Sequence, residues 1–242
     1  MWTFCLQSLV REYGWRFAWR IGVRHPLRTI EAFREADRIE DTGRGSVEVG
    51  QGKPTSAHGD PPSIVGVGFC LKPVNPPCPS GRADHDCLLL ETSTGQDTPG
   101  VPVPCYPCAI REIGTQALRA GAAFYVMTSA RDILEDVYVP ALEDRRFPTG
   151  LFVLCRYSFR PFAVGLLASG MSARLIPLGP GDCRDYRTWL LADRGMKDEQ
   201  TTVDAAGMAG VARRFGGAAP SRALRIERRG NVLFPVPGGP AA

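Results

Sequence analysis

Four runs of apolar residues, at 63–70, 122–129, 151–155 and 173–178, are separated by stretches in which apolar positions recur every three or four residues. Within the runs the apolar side chains sit on consecutive positions and do not alternate with polar ones, which is how strands read when both faces are buried. Between them, residues 108–121 place Ile110, Ile113, Ala117 and Leu118 on one helical face and stop at Gly121. Residues 131–145 repeat the pattern with Ile133, Leu134, Val137 and Leu142, and residues 161–170 open on a proline and close on a glycine. Strand alternating with helix predicts an α/β fold, a mostly parallel sheet of about four strands with helices on both faces.

The ends read differently. Residues 1–40 predict an amphipathic helical arm, with Leu6, Leu9, Val10, Tyr13, Phe17 and Ile21 along one face and Arg16, Arg20, Arg24 and Arg28 along another, broken in two by Pro26. Residues 41–62 are a glycine, proline and small-polar linker without hydrophobic period. Residues 63–203 then form the Cys-rich α/β domain. Residues 204–242 read as a largely flexible tail in which only 225–236 carries a marginal strand-pair pattern.

Composition narrows the function class. The chain has 242 residues, 44% hydrophobic and 22% charged, and no apolar run near the roughly 18 residues that a membrane helix needs. Charge every few residues along the first 26 leaves no secretory core, so the expected location is the cytoplasm, peripheral to a membrane if the arm touches one. The net charge of +4 is concentrated in the arm, with five arginines and one glutamate between Arg11 and Arg28. Trp2, Trp15 and Trp19 lie beside those arginines. That face suits a membrane surface or docking on a larger redox enzyme. No nucleic-acid signature accompanies the charge, so no nucleic-acid partner is expected.

The chemistry lies in the thiols. Five of the eight cysteines, Cys70, Cys78, Cys87, Cys105 and Cys108, fall within 39 residues, in a loop whose prolines forbid a long helix. In a reducing compartment such thiols hold metal or do chemistry more often than they form structural disulfides. Parallel strands end at one edge, where ligands bind, and Cys70, Cys155 and Cys183 each lie at or just beyond a strand end. The first choice is an iron–sulfur cluster, [4Fe–4S] or [2Fe–2S], ligated by Cys70, Cys78, Cys87 and one or both of Cys105 and Cys108. His85 is a further candidate ligand or hydrogen-bond partner. A structural reading as buried filler suits Cys155 and Cys5 better than Cys78 and Cys87, whose neighbours are proline, glycine and charge.

The stretch from Gly66 to Gly121, with a strand-end cysteine, scattered cysteines and CYPCAIREI opening a helix, resembles an uncharacterised family of bacterial and archaeal cysteine-rich proteins thought to bind iron–sulfur. The resemblance implies Cys70, Cys78, Cys105 and Cys108 as ligands and brings no assigned reaction. The proline-rich insert and His85 depart from it.

Two other classes stay open. Zinc held by four cysteines would make a binding or adaptor protein, although zinc modules bring two short ligand pairs and only Cys105 and Cys108 form one here. Cys105-Tyr-Pro-Cys108 opening a helix also looks like a thiol–disulfide oxidoreductase motif, yet the proline-rich stretch before it is no central strand. Arg156, Tyr157, Ser158 and residues 182–187 follow strands and form a polar rim suited to an anionic ligand or to plain surface ion pairs. With three histidines and no phosphate-binding glycine motif, neither a Ser-His hydrolase nor a nucleotide site is expected.

Overall fold

The computed structural model describes residues 13–39, 45–50, 62–92, 100–215 and 224–237. The readings of Trp2, Cys5, Leu6, Leu9 and Val10 lie outside these residues. Seven strands form one mixed sheet: β1 (Val47–Val49), β2 (Ile64–Gly68), β3 (Ala123–Met127), β4 (Thr149–Leu154), β5 (Ser172–Pro177), β6 (Leu224–Arg229) and β7 (Val232–Pro237). Their order across the sheet is β1-β5-β4-β2-β3-β7-β6.

The middle four strands are parallel: β2 pairs with β3 on one side and β4 on the other, and β4 pairs with β5. At the edges β1 joins β5, and β7 joins β3, both antiparallel, and β6 folds back on β7. The α/β class stands, but the expected mostly parallel sheet of about four strands is corrected to a mixed sheet of seven. The added strands come from the stretches read as linker and tail. β1 is three residues long, too short to show a period, and β6 reads LRIERR, with four charged residues in six.

Helices cover both faces, as the continuous apolar strands require. On one face pack α1 (Tyr13–Phe17), which runs on as the π-helical turn Ala18–Gly22, and α2 (Pro26–Asp37), with Pro26 at its first turn. The same core takes α5 (Ala130–Ile133), prolonged by the π-helical turn Leu134–Tyr138, then α6 (Val139–Glu143) and α7 (Phe159–Ser169). The helix expected over 131–145 is thus widened in its middle, where Pro140 brings no N–H to continue an α-helical ladder. On the other face lie α3 (Leu88–Thr92), α4 (Ala109–Arg119), α8 (Tyr186–Asp193) and α9 (Ala205–Phe215). Successive residues of β3 show the division: Phe124 and Val126 face α4, and Tyr125 and Met127 face the α5–α7 side.

The arm is part of this core. Phe17 and Ile21 are buried, and Arg16, Arg20 and Arg24 reach Glu135 and Glu143, with Arg24 donating to Glu143 at 3.0 Å. Such half-exposed pairs orient more than they stabilise. Its outer side leaves Trp15, Trp19, Val23 and Leu27 in solvent. No helix among the described residues is long and apolar enough to cross a membrane.

Close approach between α7 and the π-turn explains Gly165: a methyl group there would stand 2.3 Å from the ring of buried Tyr138. Gly165→Ala is expected to cost about 1–3 kcal/mol through overpacking, read as a lower urea midpoint at unchanged slope.

Candidate metal centre

The thiol loop leaves the carboxyl end of β2 through a single 3-10 turn, Phe69–Leu71, and contains little regular structure before α3. A loop of this kind keeps its shape by satisfying its backbone from side chains. Arg82 does most of this: its guanidinium donates to the carbonyls of Lys72 (3.0 Å), Lys197 (3.0 Å) and Glu199 (2.6 Å). Lys72 Nζ donates to Gly81 O at 2.8 Å, Ser80 Oγ accepts from Leu88 N at 2.8 Å, and Gln200 Oε1 accepts from Val74 N at 2.9 Å. The loop is therefore pinned to itself and to the segment 197–200.

So pinned, it brings four of the five expected thiols together. Cys78, Cys87, Cys105 and Cys108 line one cavity with Lys72 and Arg111. Its volume is about 10 Å³, roughly the space of one water. The four come from three places: Cys78 from mid-loop, Cys87 from the start of α3, and Cys105 and Cys108 from the turn that opens α4. The thiols act on one another electrostatically: Cys108 and Cys78 on both Cys87 and Cys105, and Cys78 on Cys108.

Burial dominates their acidity. It pushes Cys87 up to about 12 against the pull of the Leu90 N–H, and it raises Cys108 against the N–H groups of Ile110 and Arg111. Cys105 is raised as well, by burial and then by Cys108 and Cys78. Near neutral pH these three carry protons. Raised thiols are the opposite of an activated redox pair, whose attacking cysteine is depressed. Lys72 is the counterpart: only 1% exposed, its ammonium is disfavoured by burial and supported by Cys78, Asp84 and Cys87. A buried cation beside four thiols is placed to neutralise thiolates.

Cys70 is the exception among the expected ligands. The 3-10 turn carries its sulfur back over Gly68, where a methyl group at Gly68 would lie 3.2 Å from it, and it lines a different cavity. There it joins Cys155 and Cys183, and the buried Lys197 acts on it electrostatically. The described cysteines thus divide into a group of four and a group of three, and Cys70, Cys108, Cys155 and Cys183 belong to the core on the α4 side of the sheet. The spacing of cysteines along the loop could not reveal this division. Their position relative to strand ends does: Cys70 and Cys155 follow β2 and β4 within two residues, and Cys183 lies on the loop that leaves β5.

His85 also lies apart from the four thiols. Its Nδ1 is 2.8 Å from Val126 O, its Nε2 is 3.0 Å from Thr128 Oγ1, and its ring stacks on Tyr125. Thr128 in turn donates to Asp132, which Ser129 also serves as the cap of α5. Both ring nitrogens are engaged, and the histidine fastens the thiol loop to the end of β3. Of the polar rim, Asp185 caps α8 by accepting from Thr188 N at 2.8 Å, and Ser158 lies 2.9 Å from the Cys155 sulfur.

As the side chains stand, no group of three or more His, Cys, Asp or Glu among the described residues is set to hold a metal ion. The four thiols suit a soft metal in kind and number, and side-chain rotation would have to complete the site. No family model, curated protein or solved structure matches the chain. His85→Ala is expected to lower stability by about 1–2 kcal/mol by stripping partners from Val126 and Thr128. Metal stoichiometry should stay unchanged, as read by unfolding and metal analysis of the same preparation.

Proposed function

We propose that this protein carries a tetrathiolate metal centre in the loop after β2, held by Cys78, Cys87, Cys105 and Cys108, and that it serves a redox or accessory role through that centre. The observation that carries the reading is the convergence of four thiols from three separate stretches on one cavity beside the buried ammonium of Lys72. Thiols that merely filled space would need no cation.

An iron–sulfur cluster is the first occupant. Its ligands are one close pair and two distant singles, and a cluster interposes its own irons and sulfides, so its thiolates need not be drawn to a single point. When bound, such a cluster accepts and donates one electron at a time. The chain's part is to supply four sulfurs, exclude water through the packing of Cys105 and Cys108 against α4, and offset the centre's negative charge with Lys72 and Arg111. A zinc-stabilised adaptor is the second reading, favoured by the volume of about 10 Å³, which takes one ion with less rearrangement than a cluster. Thiol–disulfide exchange at Cys105 and Cys108 fits less well, because both thiols are raised.

The arm supplies the partner side of the proposal. Trp15 and Trp19, 71% and 60% exposed, stand with Val23 and Leu27 on its outer side, while the inner arginines are occupied by Glu135 and Glu143. That exposed aromatic and apolar face suits the interfacial region of a membrane.

Anaerobic purification followed by iron, sulfide and zinc analysis tests the centre. Brown protein with matching iron and sulfide supports the cluster, colourless protein holding zinc supports the adaptor, and metal-free protein that takes up neither contradicts both. Cys105→Ser should lower retention of the metal at this site at least tenfold, since a lost thiolate removes one of four bonds. Affinity should also rise with pH. Cys87, Cys105 and Cys108 are protonated at neutrality, so each metal–sulfur bond displaces a proton, and acid favours the free thiols. Cobalt titrations between about pH 6.5 and 8.5 should tighten by up to tenfold per pH unit for each proton displaced, and a flat profile would contradict a site built from protonated thiols.

A further inference from the structure

The group of three thiols has a setting of its own. In the sheet order, β2 leads to β3 on one side, and β4 and β5 continue on the other, so the topological switch point lies between β2 and β4. Ligands of open α/β sheets bind in the crevice outside the carboxyl ends of the strands at that point. Cys70 follows β2 and Cys155 follows β4 on the two sides of the switch, and Cys183 arrives from the loop after β5. A cavity of about 100 Å³ opens there, its walls largely apolar and including Phe69, Leu154, Phe162 and Leu178. That is smaller than the ~150 Å³ apolar cavity known to take benzene, so it admits a guest of only a few heavy atoms.

The three sulfurs are coupled. Cys155 and Cys183 interact directly, and the Cys155 sulfur also meets Ser158 Oγ at 2.9 Å. Cys70 feels Lys197 and Cys155, and Thr201 beside it accepts from Lys197 Nζ and donates to Gly181 O at 2.8 Å. Lys197, 3% exposed, donates to Thr201 Oγ1 at 2.9 Å and to Gly181 O, placing a buried positive charge beside this group as Lys72 stands beside the other. Gly181 lets the Cys183 loop approach that segment: its φ is +81°, and any side chain there would collide with Gln200 O. The segment closes the set by hydrogen bonds from Thr201 N to Cys70 O and from Gly179 N to Thr202 O.

We propose that Cys70, Cys155 and Cys183 form a second thiolate site, separate from the four-thiol centre, which holds a thiophilic metal centre by three sulfurs with its remaining coordination position turned to the apolar cavity. Three sulfurs leave a four-coordinate metal one position short, which is the arrangement of a site that binds an exogenous ligand and not of one that only braces a fold. On binding, metal–sulfur bonds replace S–H bonds, the protons leave to solvent, and no electrons are transferred. The guest is a small, largely apolar molecule bearing one donor atom for the metal.

The test uses the full-length chain, purified without oxygen, stripped with a chelator and titrated with Co²⁺. Wild type should take up two equivalents, both with sulfur-to-cobalt charge-transfer absorption. Cys78→Ser/Cys105→Ser should keep one, with weaker charge transfer in the ratio of three sulfurs to four, and added imidazole should shift its visible bands. Cys155→Ser/Cys183→Ser should keep the other, indifferent to imidazole. A wild type that takes up only one equivalent, which survives the first pair of substitutions and is lost with the second, supports this site and overturns the four-thiol proposal. The reverse pattern overturns this site alone. Wild-type stoichiometry needs no variant: a chain that binds one cobalt while Cys70, Cys155 and Cys183 stay open to a small alkylating agent overturns the proposal even if the variants fail to fold.

Discussion

Parallel strands must all end at the same edge of their sheet, and the placement of the thiols follows from that one constraint. With β2, β4 and β5 parallel at one edge, Cys70 and Cys155 come off adjacent strands there, and the Gly181 turn brings Cys183 in from the loop after β5. The longer excursion from β2 to α4 begins at that edge and carries the remaining thiols, but a proline-rich loop has no ladder to fix it. Arg82 supplies the missing order, tying the carbonyl of Lys72 at the loop's start to those of Lys197 and Glu199. The three-thiol group is thus a product of the sheet, and the four-thiol group a product of a loop held against it.

Buried cations connect the two groups to their chemistry. A lysine seldom lies in a protein interior unless an anion or a set of acceptors goes with it. Lys72 and Lys197 each find backbone carbonyls, yet each also stands where thiolates would sit: Lys72 near Cys78 and Cys87, Lys197 near Cys70 and Cys183. Burial holds most of the thiols in their protonated form, and a metal bound as proposed would displace those protons beside the two lysines.

Much of the framework was legible because burial on both faces leaves a strong mark. The four parallel strands, the helices 108–121 and 161–170 and the break at Pro26 follow from continuous apolar runs, helical spacing and proline chemistry. Of the edge strands, the β6–β7 pair showed only as the marginal strand-pair pattern at 225–236, and β1 did not show. Val47–Val49 is a three-residue strand among glycines and prolines, and Leu224–Arg229 is mostly charged, so their pairing is a property of the partner strands. The segment 204–242, read as tail, contributes Val211, Val232 and Leu233 to the core. At the site, proximity in sequence grouped Cys70 with the loop thiols, whereas a single 3-10 turn sends it under Gly68 towards Cys155. Nor could sequence show that both nitrogens of His85 are spent on Val126 and Thr128. Turn direction is set by backbone angles that residue type does not dictate here.

The central claim is that sulfur, and sulfur alone among the protein's side chains, surrounds a metal in this molecule. X-ray absorption at the metal edge of full-length protein isolated without oxygen reads the coordination shell directly. An all-sulfur first shell, with a metal–metal distance added if the occupant is a cluster, is the predicted result. A shell dominated by nitrogen and oxygen would contradict the account.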